Sequence, residues 1–351
     1  MEEKIRVGIS QGDVNGIGLE VIIKTFLEPA LSEICTPILF SSQKTVGYYR
    51  RVLATEEFNF HPTRDLKQIN TKKPNVFVCY EEEVIIEMGK STPTGGKYAR
   101  LSLEKACEAL KENLIDVLVT GPINKHNMQS DDFKFAGHTE YLASKFPSEK
   151  GAMMLLCSDN LKVGLVTGHI PISKVAENIS TEKIYNKIIQ LGKTLTQDFV
   201  IRKPKIAVLG LNPHAGDNGT IGSEDNAIVL PAIEKAKAEG LQVYGPYAAD
   251  GFFGSGNYEK FDGILAMYHD QGLVPFKTLA FNSGVNFTAG LPIIRTSPDH
   301  GTAYEIAGKN LANEDSFKQA IYMAIDIFRN RNQHKEISAN PLAFSKMSKE
   351  R

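Results

Sequence analysis

Residues 261–277 read FDGILAMYHDQGLVPFK. The first half, Ile264–Tyr268, is a short apolar run of the length of a buried strand. His269, Asp270, Gln271 and Gly272 then follow without transition, and Lys277 comes a little later. The same change recurs elsewhere. Ile5–Ile9 runs into Gly12 and Asp13, and Val117–Thr120 into Gly121, Pro122, Asn124 and Lys125. Val163–Thr167 runs into Gly168 and His169, and Ile206–Leu209 into Asn212, Pro213 and His214. Further candidate strands are Pro37–Phe40, Val76–Cys79, Ala152–Cys157 and Leu241–Tyr244. Between them lie helical patterns at Gly18–Phe26, Tyr98–Asn113, Thr181–Gln197, Glu224–Glu239 and Ser316–Arg331. Strands alternating with helices predict an α/β protein with a largely parallel sheet. In such sheets ligands bind outside the carboxyl ends of the strands, where these polar residues fall.

At 351 residues the chain exceeds one ordinary core, which predicts two domains. Charged residues make up 23% and hydrophobic ones 42%, the balance of a globular protein. A net charge of −1 gives no general attraction to nucleic acid or to an anionic membrane. No apolar run has the length of a membrane span. The acidic start MEEKIRVGIS lacks the features of a signal peptide. The four cysteines, at 35, 79, 107 and 157, show no CxxC spacing and fit buried thiols in a reducing cytoplasm. The polar stretch Phe60–Pro74 is expected to be a loop, and Asn330–Arg351 a frayed end.

Three strand ends carry one histidine each: His169, His214 and His269. Taken singly, each is an ordinary loop residue. At three equivalent ends they point to a divalent-metal site with an open position for substrate. Asp270 is then a ligand, a partner orienting an imidazole, or a proton acceptor. Thr139, after His138, is the expected N-cap of a helix whose free N–H groups could receive an anion. Arg295, among glycines and a proline, has the forked donors that suit carboxylate or phosphate. A P-loop, a GxGxxG fingerprint and a GxSxG elbow are absent from the sequence. GDVNGIG, at 12–18, has the wrong spacing for a dinucleotide fingerprint. The loop 210–223 is rich in glycine, but Glu224 and Asp225 in the following first turn already occupy the positive helix pole.

Five motifs in order, LVTGPINK (118–125), GHTEYLA (137–143), GLNPHAG (210–216), YHDQG (268–272) and GLPIIRTSPDHGTA (290–303), resemble the 4-hydroxythreonine-4-phosphate dehydrogenase family. The resemblance runs from Ile5 to about Gly308. It implies two α/β/α domains around a central cleft, in a fold like that of isocitrate and isopropylmalate dehydrogenases. The first domain is expected over residues 1–130 plus 285–351, and the second over 131–284. The implied reaction is metal-dependent oxidation of 4-phosphooxy-L-threonine by NAD or NADP to a β-keto acid, which decarboxylates, in pyridoxal phosphate (vitamin B6) synthesis. A related dehydrogenase for erythronate or threonate 4-phosphate is the alternative. The resemblance implies His169, His214 and His269 as ligands of zinc, magnesium, manganese or cobalt. It implies His138, Thr139, Lys277, Asn286 and Arg295 as substrate contacts, and Lys277, Asp270 and Asp250 as catalytic groups. Asp299, His300 and Gly301 open the loop implied to contact the cofactor. The family forms a homodimer with shared active sites in the cytoplasm, with no nucleic-acid or membrane partner. Val14 and Leu19 stand where the family has prolines, and Gly168 where it has threonine.

Overall fold

A computed structural model of the protein describes residues 4–131, 133–280 and 283–340. The strands are β1 (Ile5–Ser10), β2 (Cys35–Ser41), β3 (His61–Thr63), β4 (Asn75–Val78), β5 (Val117–Thr120) and β6 (Met153–Cys157). They continue as β7 (Lys162–Leu165), β8 (Lys205–Leu209), β9 (Gln242–Tyr247), β10 (Gly263–Ala266), β11 (Val285–Ala289) and β12 (Arg295–Pro298). The helices are α1 (Gly18–Leu27), α2 (Ala30–Ile34), α3 (Gln43–Val52), α4 (Pro93–Lys111) and α5 (His138–Lys145). After them come α6 (Thr181–Gln197), α7 (Leu230–Ala238), α8 (Ala249–Gly254), α9 (His269–Ala280) and α10 (Asp315–Ser338).

The strands join in one sheet, in the order β3-β4-β2-β1-β5-β12-β11-β6-β7-β10-β8-β9. Its two flanks are parallel, as strands buried on both faces should be: β2 is buried throughout, and β8 from Ile206 to Leu209. The centre is not. β12 pairs antiparallel with β11, β11 with β6, and β6 with β7. The right flank therefore runs opposite to the left. At roughly 20–25° of twist per strand, the four steps from β5 to β7 turn these oppositely directed ends toward each other by roughly a right angle. The expectation of a largely parallel sheet holds for the flanks and fails at the centre, where β11 and β12 were not foreseen.

Local chemistry explains the main helices. Thr92 caps α4, its hydroxyl accepting from Gly95 N at 3.2 Å, and Pro93 stands in the first turn. Ser180 caps α6 in the same way through Lys183 N. In α10, Phe317, Ala320, Ile321, Ala324 and Ile325 bury one face across β12 and β5. Thr296 of β12 donates to the Ala320 carbonyl at 2.7 Å and fastens that contact.

Several sequence expectations change. Gly272, expected at a strand end, lies inside α9. A Cβ there would come within 2.8 Å of Val163 and 3.0 Å of Ala266, so the glycine lets α9 press onto β7 and β10. The helix expected from Glu224 opens with a π turn, Asp225–Val229. The expected loop Phe60–Pro74 contains β3, and α10 continues to Ser338 where fraying was expected from Asn330. Residues 341–351 of that stretch lie outside the described residues.

Candidate active site

A cavity of about 260 Å³ lies where the ends of β5, β7, β10 and β12 converge. Of the residues singled out from the sequence, His138, Thr139, His169, His269, Lys277, Asn286, Arg295, Asp299, His300 and Gly301 all line it. His214, Asp250 and Asp270 do not.

Each side chain reaches the cavity through the period of its element. His269, Leu273 and Lys277 are spaced by four along α9 and present one face to it. β11 alternates: Val285, Phe287 and Ala289 enter the core, while Asn286 faces the cavity. Arg295 and Ser297 of β12 line the cavity, and Thr296 between them turns to α10. α5 begins at His138 with Gly137 as its cap residue, so Thr139 sits inside the first turn and is not the N-cap.

Arg295 is buried. Its Nε and Nη2 donate to the Thr120 hydroxyl at 3.0 and 2.6 Å, and Nη1 donates to the Thr288 hydroxyl at 3.1 Å. Burial pushes the guanidinium down to about 9, which leaves it charged at neutral pH. Facing it, burial first and then the Arg295 and Lys125 charges hold His138 well below the ordinary 6.5, so the ring is neutral. His138 Nε2 and Asn286 Oδ1 are buried without hydrogen-bond partners, as groups that await a polar ligand are. Lys277 lies 3.5 Å from the Asp299 carboxylate and donates to the Asp299 carbonyl at 3.2 Å. Burial raises the Asp299 carboxyl, and the Lys277 ammonium opposes that rise.

The His169 and His269 rings lie 5.5 Å apart. His269 Nδ1 is 2.6 Å from Asp270 Oδ1; the carboxylate accepts, so Nδ1 is the donor, and in the neutral ring this leaves the Nε2 lone pair for a ligand. Lys125 Nζ donates to His169 Nε2 at 3.1 Å, which marks that nitrogen too as an acceptor. Glu140 stands 4.0 Å from His169 Nδ1. Two imidazoles offering Nε2 lone pairs, one oriented by a carboxylate, fit a divalent cation, which at His169 would take the place of the Lys125 ammonium. The third expected ligand is elsewhere. His214 is exposed on a left-handed turn, Pro213–Gly219, where His214, Ala215, Asp217 and Asn218 have φ of 42–54°. Among the described residues no three His, Cys, Asp or Glu side chains are gathered to hold a metal.

For the cofactor, His300 offers the fitting observation. Burial lowers its pKa, and its Nε2 is buried without a partner beside the cavity. At Gly301 nothing stands within 4 Å of where a Cβ would be. Asp270 is committed to His269, and Asp250 is exposed on α8. Lys125, Glu140, Thr120 and Thr288 belong to the site without having been singled out for it. Lys125 and Thr120 stood in a strand-end motif, but nothing in one sequence shows which neighbour they touch.

Residues 33–324 match the model of the family described as pyridoxal phosphate biosynthetic protein PdxA. A 4-hydroxythreonine-4-phosphate dehydrogenase from Bacteroides thetaiotaomicron is 52% identical over 97% of this chain and 93% of its own. A relative from Oceanobacillus iheyensis, named provisionally as a D-threonate 4-phosphate dehydrogenase, is 38% identical over 93% of this chain and 99% of its own. A crystal structure of 4-hydroxythreonine-4-phosphate dehydrogenase from Klebsiella pneumoniae superposes with a TM-score of 0.77 at 32% identity, covering 93% of this chain and 98% of that one. At the level of fold alone, an isocitrate dehydrogenase from Methylococcus capsulatus superposes with a TM-score of 0.50 at 11% identity, covering 95% and 89%.

Proposed function

The chain belongs to the family of pyridoxal phosphate biosynthetic protein PdxA, and on that premise we propose that it oxidises the C3 hydroxyl of 4-phosphooxy-L-threonine with NAD or NADP as hydride acceptor. The observation that carries this reading is one cavity lined by Arg295, the unpartnered His138 Nε2 and Asn286 Oδ1, and the His169–His269 pair.

Arg295, His138, Thr139 and Asn286 bind the anionic substrate. The guanidinium is held by two hydroxyls and keeps donor capacity toward the cavity. His138, neutral, serves by hydrogen bonding and not by charge. Lys277 lines the cavity and Asp270 does not, so Lys277 is the better placed of the two to move the hydroxyl proton, directly or through water. A divalent ion, zinc, magnesium, manganese or cobalt, held by His169, His269 and His214 would acidify that hydroxyl. The β-keto acid product loses carbon dioxide to leave 3-amino-2-oxopropyl phosphate. His300 and Gly301, with Asp299, form the cofactor side.

His214 lies outside its own chain's cavity, and exposed apolar residues surround the histidine loops. Ile172 is 73% exposed, Val274 60% and Ile221 39%. Both facts support a homodimer in which each copy completes the other's site. The two lobes of this reading are residues 1–130 plus 285–351 and residues 131–284.

The test is reduction of NAD by purified protein with 4-phosphooxy-L-threonine, with and without added divalent metal. D-Threonate and erythronate 4-phosphates are assayed beside it. A kcat/KM at least tenfold higher for either acid would assign the chain to that substrate. No turnover on any of the three would remove the dehydrogenase reading.

A further inference from the structure

Asp13, in the GDVNGIG stretch, is fully buried. The donors around it are neutral. Tyr304 Oη donates to its Oδ2 at 2.7 Å, Asn127 Nδ2 donates to the same oxygen at 2.7 Å, and Asn15 N donates to Oδ1 at 2.8 Å. These partners come from different places. Tyr304 lies in the loop that begins at Asp299. Asn127 follows Lys125 in the loop after β5. Asn15 fastens the 87–92 segment, accepting from Glu87 N and donating to the Lys90 carbonyl and the Thr92 hydroxyl.

The rest of the stretch holds the same loop. Ile17 N donates to the Thr302 carbonyl at 3.0 Å. Farther along α1, Glu20 accepts from Ala312 N at 2.8 Å, and Lys24, paired to Glu20, donates to the Ala312 carbonyl at 2.8 Å. Residues 302–312 are thus tied down at Thr302, Tyr304 and Ala312, all by residues 13–24. Asn127 Oδ1 is buried without a partner, so its amide is oriented through Nδ2, which meets Asp13 at 2.7 Å and the Tyr304 hydroxyl at 3.4 Å. Gly95 makes the approach possible: a Cβ there would lie 2.4 Å from Asp13 Oδ1.

We propose that Asp13 is a positioning residue which fixes the loop of His300 and Gly301 to the loop of Lys125, so that cofactor and substrate contacts are held in one register. It does not line the cavity. The inference rests on the reading of residues 299–301 as cofactor contacts. Asp13 is placed for this by chemistry: Oδ2 accepts from two donors on separate loops while Oδ1 accepts from Asn15 N, and an amide can meet that set only by turning its NH2 donor toward one of the three.

The experiment uses the intact enzyme and reads the loop and the cofactor separately. Asp13→Asn and Tyr304→Phe are compared with His300→Ala by hydrogen exchange of residues 299–312, by equilibrium NAD binding and by steady-state kinetics. The expected result is exchange at least tenfold faster in the loop for Asp13→Asn. Its NAD Kd and KM rise five- to twentyfold, and substrate KM stays within twofold. Tyr304→Phe shows the same pattern more weakly. The exchange Asp13→Asn with Asn127→Asp restores one donor facing one carboxylate and recovers most of the NAD affinity. If Asp13→Asn does not fold, Tyr304→Phe carries the test. Unchanged loop exchange and NAD Kd in Tyr304→Phe, with His300→Ala weakening NAD, would overturn the proposal. Faster loop exchange in Tyr304→Phe with NAD Kd unmoved by His300→Ala would instead remove the cofactor reading and leave Asp13 as the loop's anchor.

Discussion

Arg295 shows how one buried charge is kept in place by groups that carry none. Thr120 accepts from two of its nitrogens and Thr288 from a third. Thr120→Val keeps the shape and removes the acceptor, leaving two buried donors against a methyl group. The expected loss is about 1–3 kcal/mol of stability by chemical denaturation, together with weaker substrate binding. A change below about 0.5 kcal/mol would show that Arg295 finds another partner. The same cavity predicts a pH dependence. His138 and His300 have folded pKa values below the ordinary 6.5, mainly through burial. Below that pH the unfolded chain binds protons that the folded one does not, so stability falls as pH falls. Asp299, with its raised carboxyl, contributes the opposite sign, and only nearer the carboxylate range. The melting temperature should drop between about pH 7 and pH 5.5. His138→Asn with His300→Asn should flatten that slope; an equal slope in the double variant would place the titration elsewhere.

Among the elements, α4 and the loop after β5 set the position of Lys125. Gly96 of α4 packs so closely there that a Cβ would lie 1.9 Å from the Asn127 carbonyl oxygen. By helix propensity alone Gly96→Ala should stabilise by about 1 kcal/mol. The clash is with backbone, which cannot rotate away, so the expected outcome is a net loss of about 1–3 kcal/mol and a roughly tenfold fall in turnover. A more stable, fully active variant would contradict the packing. The same scale explains what could be foreseen. VNFTA alternates core and site residues as a strand should, yet this short run with two polar residues was not among the strands foreseen. The RTSP of β12 holds no apolar residue, so no pattern marked it. Its strand character comes from pairing with β5 and β11. α9 holds both Gly272 and Pro275, yet the helix forms, and the glycine admits close contact with β7 and β10.

For the whole molecule, the exposed Ile172 and Val274 beside the histidine loops predict a second copy there. Ile172→Asp should shift the protein toward monomer by sedimentation and lower both divalent-metal affinity and turnover by at least about tenfold. A monomeric variant with full metal affinity would show that each chain builds its site alone. The sequence by itself determined the α/β class and most of the longer strands and helices, and its strand ends marked His169 and His269, while the family resemblance supplied the roles of Lys277, Asn286 and Asp299. It could do so because hydrophobic period and polar strand ends are local properties. Only the tertiary structure decided that the sheet reverses at β11 and β6, that His169 and His269 meet while His214 stays outside, and that Asp13 ties three distant segments together. Those outcomes depend on strand pairing and side-chain contact between residues up to 291 positions apart, and no local pattern in a chain encodes which distant partner a strand or a carboxylate will find.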